Sequence, residues 1–207
     1  MRISFFVSDL HGRIDRYNKL IEEILINQPE AVFLGGDLLP SGKSIPYKGR
    51  QIGDFFYDYL FPELSNLKIR LGDSFPNIFL ILGNDDGRVN EVKVIEGEGE
   101  RLWYYIHNKK VEFKGFNIFG YAYVPPTPFL LKDWERYDVS RYVDPGCISP
   151  EDGWRTVQSP EMDNEIAHST IKEDLNKLTA SEDMDEAIFL FHSPPYQTNL
   201  DLALIHI

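Results

Sequence analysis

Three short apolar runs in this chain end the same way, and that repetition constrains the fold more than any other feature. Ile3 to Val7 leads into Ser8-Asp9-Leu10-His11-Gly12, Ala31 to Leu34 into Gly35-Gly36-Asp37, and Ile78 to Leu82 into Gly83-Asn84-Asp85-Asp86-Gly87. Runs this short, apolar and closed by turn formers predict buried strands that open into polar loops. Between the first two, Tyr17, Leu20, Ile21, Ile24 and Leu25 recur at helical spacing and stop before Pro29, which predicts a crossover helix and a βαβ unit. Loops beyond the carboxyl ends of strands gather ligands in open α/β sheets, so the three polar endings are expected to face one crevice.

Downstream, a second helix is predicted over much of Ile52 to Leu67, kinked or interrupted at Pro62. Leu102 to Ile106, Lys110 to Lys114 and Asn117 to Tyr121 predict short strands in meander pairing, opening a second sheet. Tyr123 to Gly153 has no period and is rich in Pro, Gly, Asp and aromatics, so it reads as a long surface excursion whose aromatic residues, Tyr123 to Phe129 and Trp134, pack. Helical spacing returns from Glu161 to Leu178, and Ala187 to Phe191 is a last apolar strand ending at His192.

At 207 residues the chain has room for one α/β domain spanning 1–207. Its 33 acidic against 21 basic residues give a net charge of -12, which disfavours extended nucleic-acid binding. A small phosphate compound is still admissible, because bound divalent cations invert the local potential. Cys147 is the single cysteine, so neither an internal disulfide nor a thiolate zinc site is expected, and a cytoplasmic setting fits. The N-terminal apolar run is too short for a membrane span, and no membrane association is expected.

The chemistry sits at the strand ends: Asp9 and His11, Asp37, Asn84, and His192. Together they offer carboxylate, imidazole and amide donors, a mixture suited to Mn, Fe, Zn or Mg. If the segment is extended, Asp9 and His11 point the same way while Leu10 packs. Asp37 has two oxygens and can bridge two ions, and Asn84 with His192 would complete a second, adjoining site. An aspartate at a strand end is often only a turn former or cap, and a lone histidine only a packed one. It is the ordered series that favours metal. His107 and His168 lack such partners and read as ordinary packing or surface residues. Arg88 and the stretch Lys43 to Arg50 read as solvated loop charges, with an anionic substrate group as the alternative role.

In order, Asp9-x-His11, Gly36-Asp37, Gly83-Asn84 and the lone His192 resemble four of the five motifs of the calcineurin-like metallophosphoesterases. The resemblance spans nearly the whole chain. It implies a four-layer α/β/β/α sandwich and a hydrolase of phosphomonoesters or phosphodiesters, acting through two divalent ions and a bridging hydroxide. It also implies Asp9 and His11 on the first ion, Asp37 bridging, and Asn84 with His192 on the second, with manganese the first choice of metal. The partner implied is a small phosphate ester, and a homo-oligomer is left open.

Two departures from the family pattern bear on activity. Asp85 stands where the family has a histidine after the asparagine, which makes Asp85 the candidate catalytic acid if its pKa is raised. Substrates with good leaving groups are then expected. The family's Gly-His-x-His motif is unmatched: the chain ends Leu204-Ile205-His206-Ile207, and His206 is a poor substitute. The expectation is a C-terminally truncated sandwich, or a natural variant whose centre is weakened or completed by another chain. The rival function is a non-catalytic metal-binding or protein-interaction module that keeps the fold.

Overall fold

The computed structural model describes residues 3–41, 46–47, 50–180, 182, 184–195 and 198. The side chains of the stretch from Lys43 to Arg50, and His206, lie outside the described residues. The expected βαβ unit is present as β1 (Ser4–Val7), α1 (Ile14–Asn27) and β2 (Ala31–Gly35), with β1 and β2 parallel. Helix α1 buries Tyr17 and Ile24 and ends at Gln28, whose left-handed backbone donates its N–H to the Ile24 carbonyl at 2.9 Å.

A short hairpin of β3 (Pro46–Tyr47) and β4 (Arg50–Gln51) precedes a π-helical turn over Phe56–Leu60, which runs directly into α2 (Phe61–Leu71). Pro62 follows closely on the π turn; inside a continuous helical run it has no N–H to give the preceding turn, and the widened π turn is the interruption expected there. β5 (Asn77–Ile81) then lies parallel to β2.

One departure from expectation follows. Helix α3 (Glu91–Gly99) crosses back over the sheet, and β6 (Tyr104–Tyr105) joins it parallel to β5 instead of opening a meander. Two glycines in α3 hide its period, and Gly97 is there because a Cβ would sit 2.1 Å from the Trp103 ring. The first sheet thus runs β1-β2-β5-β6.

The second sheet is β7 (Lys109–Phe113) antiparallel to β8 (Phe116–Tyr121), with the final strand, Ala187–Phe191, parallel to β8. Before that strand the expected single helix is two, α4 (Pro160–His168) and α5 (Ile171–Leu178). Thr170 breaks them by capping α5 in a reciprocal pair with Glu173, a Thr-x-x-Glu signature present in the sequence. The last strand is β9.

One face of the first sheet presents Val32, Leu34, Ile78 and Leu80 to Tyr17, Leu20 and Ile24 of α1. On the other face Phe79 stacks on Phe33 and meets Phe113 of the second sheet edge-on, both at 5.4 Å. α5 covers the second sheet: Ile171 joins the core, and Tyr121 donates its hydroxyl to Asp174 at 2.6 Å. Burying each of these large side chains contributes roughly 1.5–3 kcal/mol, so two sheets between helices is a mixed α/β arrangement that hides the apolar faces.

The stretch from Tyr123 to Gly153 is a surface excursion only in part: Asp138 to Tyr142 are exposed, but the segment before them turns into the interior. Lys132, Trp134 and Glu135 are fully buried, and Lys132 reaches Glu135 at 2.5 Å and the Thr127 carbonyl at 2.9 Å. Glu135 also receives the Thr127 N–H at 2.9 Å, so the buried pair is hydrogen-bonded on both sides. This order rests on polar cross-links and has no period to read. Tyr123 and Trp134 pack in the interior as expected, at 6% and 0% exposure, but Phe129 is 59% exposed. His107 is held by the Ala122 N–H and by aromatic neighbours, and His168 is exposed at the end of α4, both in line with a structural role. No helix among the described residues is long and apolar enough to cross a membrane.

Candidate metal centre

The parallel order β1-β2-β5 brings three loops to one sheet edge. Asp9 donates its N–H to the Gly36 carbonyl at 3.0 Å, His11 to Asp37 at 2.8 Å and Gly12 to Leu38 at 2.8 Å, so the first two loops run as a ladder. The segment is not extended as the sequence suggested. Asp9, His11 and Asp37 all have left-handed backbone, with φ of 57°, 48° and 53°. Such conformations are uncommon outside glycine and are tolerated best by Asp, Asn and His. Their result is close to the one expected of an extended segment: Leu10 turns into the core at 3% exposure. A donor atom from each of Asp9, His11 and Asp37 lies within 4.8 Å of the others.

The remaining residues also assemble around Asp37. His192, at the end of β9, places Nε2 3.4 Å from Asp37 Oδ1 and 3.0 Å from Asn84 Oδ1. Its Nδ1 donates to the Gly35 carbonyl at 2.7 Å, which fixes the ring and aims Nε2 at the cluster. Asp85 donates its backbone N–H to Asp37 Oδ1 at 2.9 Å, and its carboxylate stands 3.8 Å from His11 Nδ1. All six residues singled out from the sequence therefore gather around Asp37. Asp37 is buried and His192 part-buried, while Asp9 and Asp85 line the open side, at 58% and 38% side-chain exposure.

The electrostatics follow from this packing. Burial works against the Asp37 carboxylate, but the hydrogen bond and charge of His192 outweigh it and hold its pKa below the usual range. Burial also disfavours the His192 imidazolium, yet Asp37 and the Gly35 carbonyl raise its pKa to about 9. Asp85 moves the other way, raised by desolvation and by the neighbouring Asp37 charge. A cation entering between these groups competes with the His192 proton, as metal binding to imidazole generally does.

The donor set fits a divalent ion, and so does the space. A Cβ on Gly36 would lie 2.6 Å from His192 Nδ1, and one on Gly83 2.3 Å from Asp37 Oδ1. Gly36 also has φ of +96°, so that position needs glycine on both counts. Both glycines keep the cradle open.

One residue was missed in the sequence. Asp86 is fully buried and accepts the N–H groups of Leu39, Gly83 and Leu38 at 2.7, 2.9 and 3.1 Å, while Trp134 Nε1 donates to its carbonyl at 2.8 Å. It ties the Asp37 loop to the Asn84 loop. Burial pushes its pKa up to about 7, against the pull of those N–H bonds. The signal was available in the family pattern Gly-Asn-His-[Asp/Glu], whose last position Asp86 fills. Arg88 is not a solvated charge, since it donates to the Tyr123 hydroxyl at 2.9 Å, lies 4.8 Å from the Trp134 ring centre and pairs with Glu91 at 3.2 Å.

Comparison with curated proteins found no match. Among solved structures, TT1561 of Thermus thermophilus aligns over 97% of this chain and 71% of its own, with a TM-score of 0.50 and 14% identity, a likeness of fold. Another solved structure covers 56% of this chain and 51% of its own at a TM-score of 0.37 and 16% identity, too little to carry weight. The model of the calcineurin-like phosphoesterase family matches residues 4–204, which takes in every loop of the Asp37 cluster, and this chain belongs to that family.

Proposed function

We propose that this protein hydrolyses phosphomonoesters or phosphodiesters at a centre of two divalent ions held by Asp9, His11, Asp37, Asn84 and His192. The observation that carries the reading is the position of Asp37, which shares one donor cluster with Asp9 and His11 and also touches His192. Divalent ions bound there supply charge stabilisation for phosphoryl oxygens and acidify a water for attack at neutral pH. The protein's part is to hold the donors still. The Asp85 N–H orients the Asp37 carboxylate, the Gly35 carbonyl fixes the His192 ring, and Asp86 locks the two loops together.

Asp85 is the candidate for handing a proton to the leaving group. It stands on the open side of the cluster, where a substrate oxygen would approach, and desolvation with the neighbouring Asp37 charge raises its pKa, the direction a proton donor needs. A carboxylic acid brings no positive charge to the developing leaving-group anion, as an imidazolium would, so aryl esters are the preferred substrates. Manganese is the first ion to supply. The lone Cys147 suits a reducing compartment, and we place the enzyme in the cytoplasm.

The test is turnover of a chromogenic phosphodiester and a chromogenic phosphomonoester after reconstitution with manganese, together with elemental analysis. Two ions per chain and a rate abolished in a folded Asp37→Ala variant support the proposal. One ion or none, without turnover, points to the non-catalytic binding module, and full activity in Asp37→Ala rejects the assignment.

A further inference from the structure

The loop that carries Asn84 and Asp85 is fastened by two carboxylates, one its own and one from a distant segment. Asp86 holds its start, at the Gly83 N–H. Its end passes into a 3-10 turn, Arg88–Asn90, whose capping residue is Gly87, with no side chain to accept the free N–H groups there. Those groups are served from 45 and 67 residues along the chain. Asp133, which is buried, accepts the Arg88 N–H at 2.7 Å, and Thr156 Oγ1 accepts the Val89 N–H at 2.9 Å. Thr156 is tied in turn to Asp133 by its own N–H, at 2.9 Å, and by its hydroxyl. Both residues stand on one ribbon, in which Lys132 donates its N–H to the Trp154 carbonyl at 2.9 Å and Trp154 to that of Leu130 at 2.8 Å. Trp134 of the same ribbon donates to the Asp86 carbonyl at 2.8 Å, so the main chain from Asp86 to Val89 is gripped at three points. The fit is close, since a Cβ on Gly87 would meet Thr156 Cγ2 at 3.3 Å.

The geometry points to Asp133 and Thr156 as positioning residues for Asp85, acting through the backbone of Arg88 and Val89. Asp85 bonds its N–H to Asp37 Oδ1 at 2.9 Å and holds its carboxylate 3.8 Å from His11 Nδ1. Both relationships shift when the far end of the loop is released. A misplacement of about 1 Å costs on the order of 100-fold in a step that depends on a positioned group. The effect on rate rests on Asp85 as the proton donor proposed above, whereas the effect on the loop does not.

Thr156→Val removes the hydroxyl at nearly constant size, and Thr156→Ser keeps it. Two measurements read the consequences: steady-state kinetics on an alkyl and an aryl phosphate ester with manganese, and amide hydrogen exchange on the metal-free protein. In Thr156→Val, kcat on the alkyl ester is expected to fall roughly tenfold or more at unchanged KM, and on the aryl ester much less. In an Asp85→Asn background the same substitution costs the alkyl ester nothing further, the non-additivity of residues that act as one unit. Exchange at the Asp85 amide speeds up about tenfold, while His11 and Gly12, bonded to the Asp37 and Leu38 carbonyls, keep the parent's protection. Thr156→Ser restores both readouts. A general loss of stability would speed exchange at all three amides and slow both esters alike, and that result overturns the proposal. Unchanged exchange at Asp85 or an additive double variant does the same. If the parent turns over neither ester, the phosphoesterase reading fails, and the exchange pattern alone decides whether Asp133 and Thr156 position Asp85.

Discussion

Asp86 receives the Leu39 N–H at 2.7 Å from across the chain, and the same carboxylate holds Leu38 and Gly83. Two of the three site loops are thereby set by one buried side chain. Asp86→Ala leaves three buried donors unpaired at about 1–3 kcal/mol each, so a thermal midpoint lower by roughly 10 °C is expected by calorimetry. Asp86→Asn is expected to fall between, because its amide nitrogen must face one of the donors. A midpoint unchanged in Asp86→Ala would contradict this assignment.

Gly83 makes a sharper test of the centre, because its effect is steric. A Cβ there would overlap the Asp37 carboxylate and its backbone nitrogen, at 2.3 and 2.4 Å. Gly83→Ala is expected to weaken manganese binding about 10- to 100-fold by titration calorimetry, the range typical of a displaced supporting group. Gly99→Ala, where nothing lies within 4 Å, is the control and binds as the parent does.

Metal should also stabilise the fold by mass action. At a manganese concentration about 100 times the dissociation constant, the expected gain is about 2.7 kcal/mol. Chelation removes it, and Asp37→Asn shows none, as read from denaturant midpoints with and without the ion.

His107 predicts an acid limit to stability that is separate from the metal. Burial lowers its pKa to about 3, with Arg88 and Arg136 adding repulsion, against about 6.5 in the unfolded chain. The unfolded state therefore binds the extra proton between about pH 6.5 and pH 3, and stability falls as pH falls through that window by up to about 1.4 kcal/mol per unit. His107→Gln keeps an acceptor for the Ala122 N–H, bonded to His107 at 3.0 Å, and removes the proton. Its urea midpoint is expected to depend less on pH between 6.5 and 4.5 than the parent's, and equal slopes would count against the buried neutral imidazole.

Leaving-group dependence probes Asp85. Replacing it with Asn, which keeps size and backbone contact, is expected to slow an alkyl phosphate ester about 100-fold or more and an aryl ester much less. Equal losses on both would mark Asp85 as a positioning residue that acts through His11 or Asp37.

The residues that gather at Asp37 were legible in the sequence because each sits directly after an apolar run, and a buried strand can carry polar groups only where it emerges. The same logic gave β1, α1, β2, β5 and β9. It failed at α3, whose glycines admit Trp103, and along Tyr123 to Gly153, where the Lys132–Glu135 pair and Trp134 are buried without any repeat. It also assigned Asp9 and His11 an extended backbone, whereas both are left-handed.

Local patterning thus determined which residues bear donors and which strands carry them, because burial and alternation act over a few residues. Tertiary structure alone decided that Asp37 stands with both Asp9 and His192, and that Asp86 reaches back to Leu38. These contacts join loops tens of residues apart. They depend on parallel register and on backbone conformations that no window of sequence specifies.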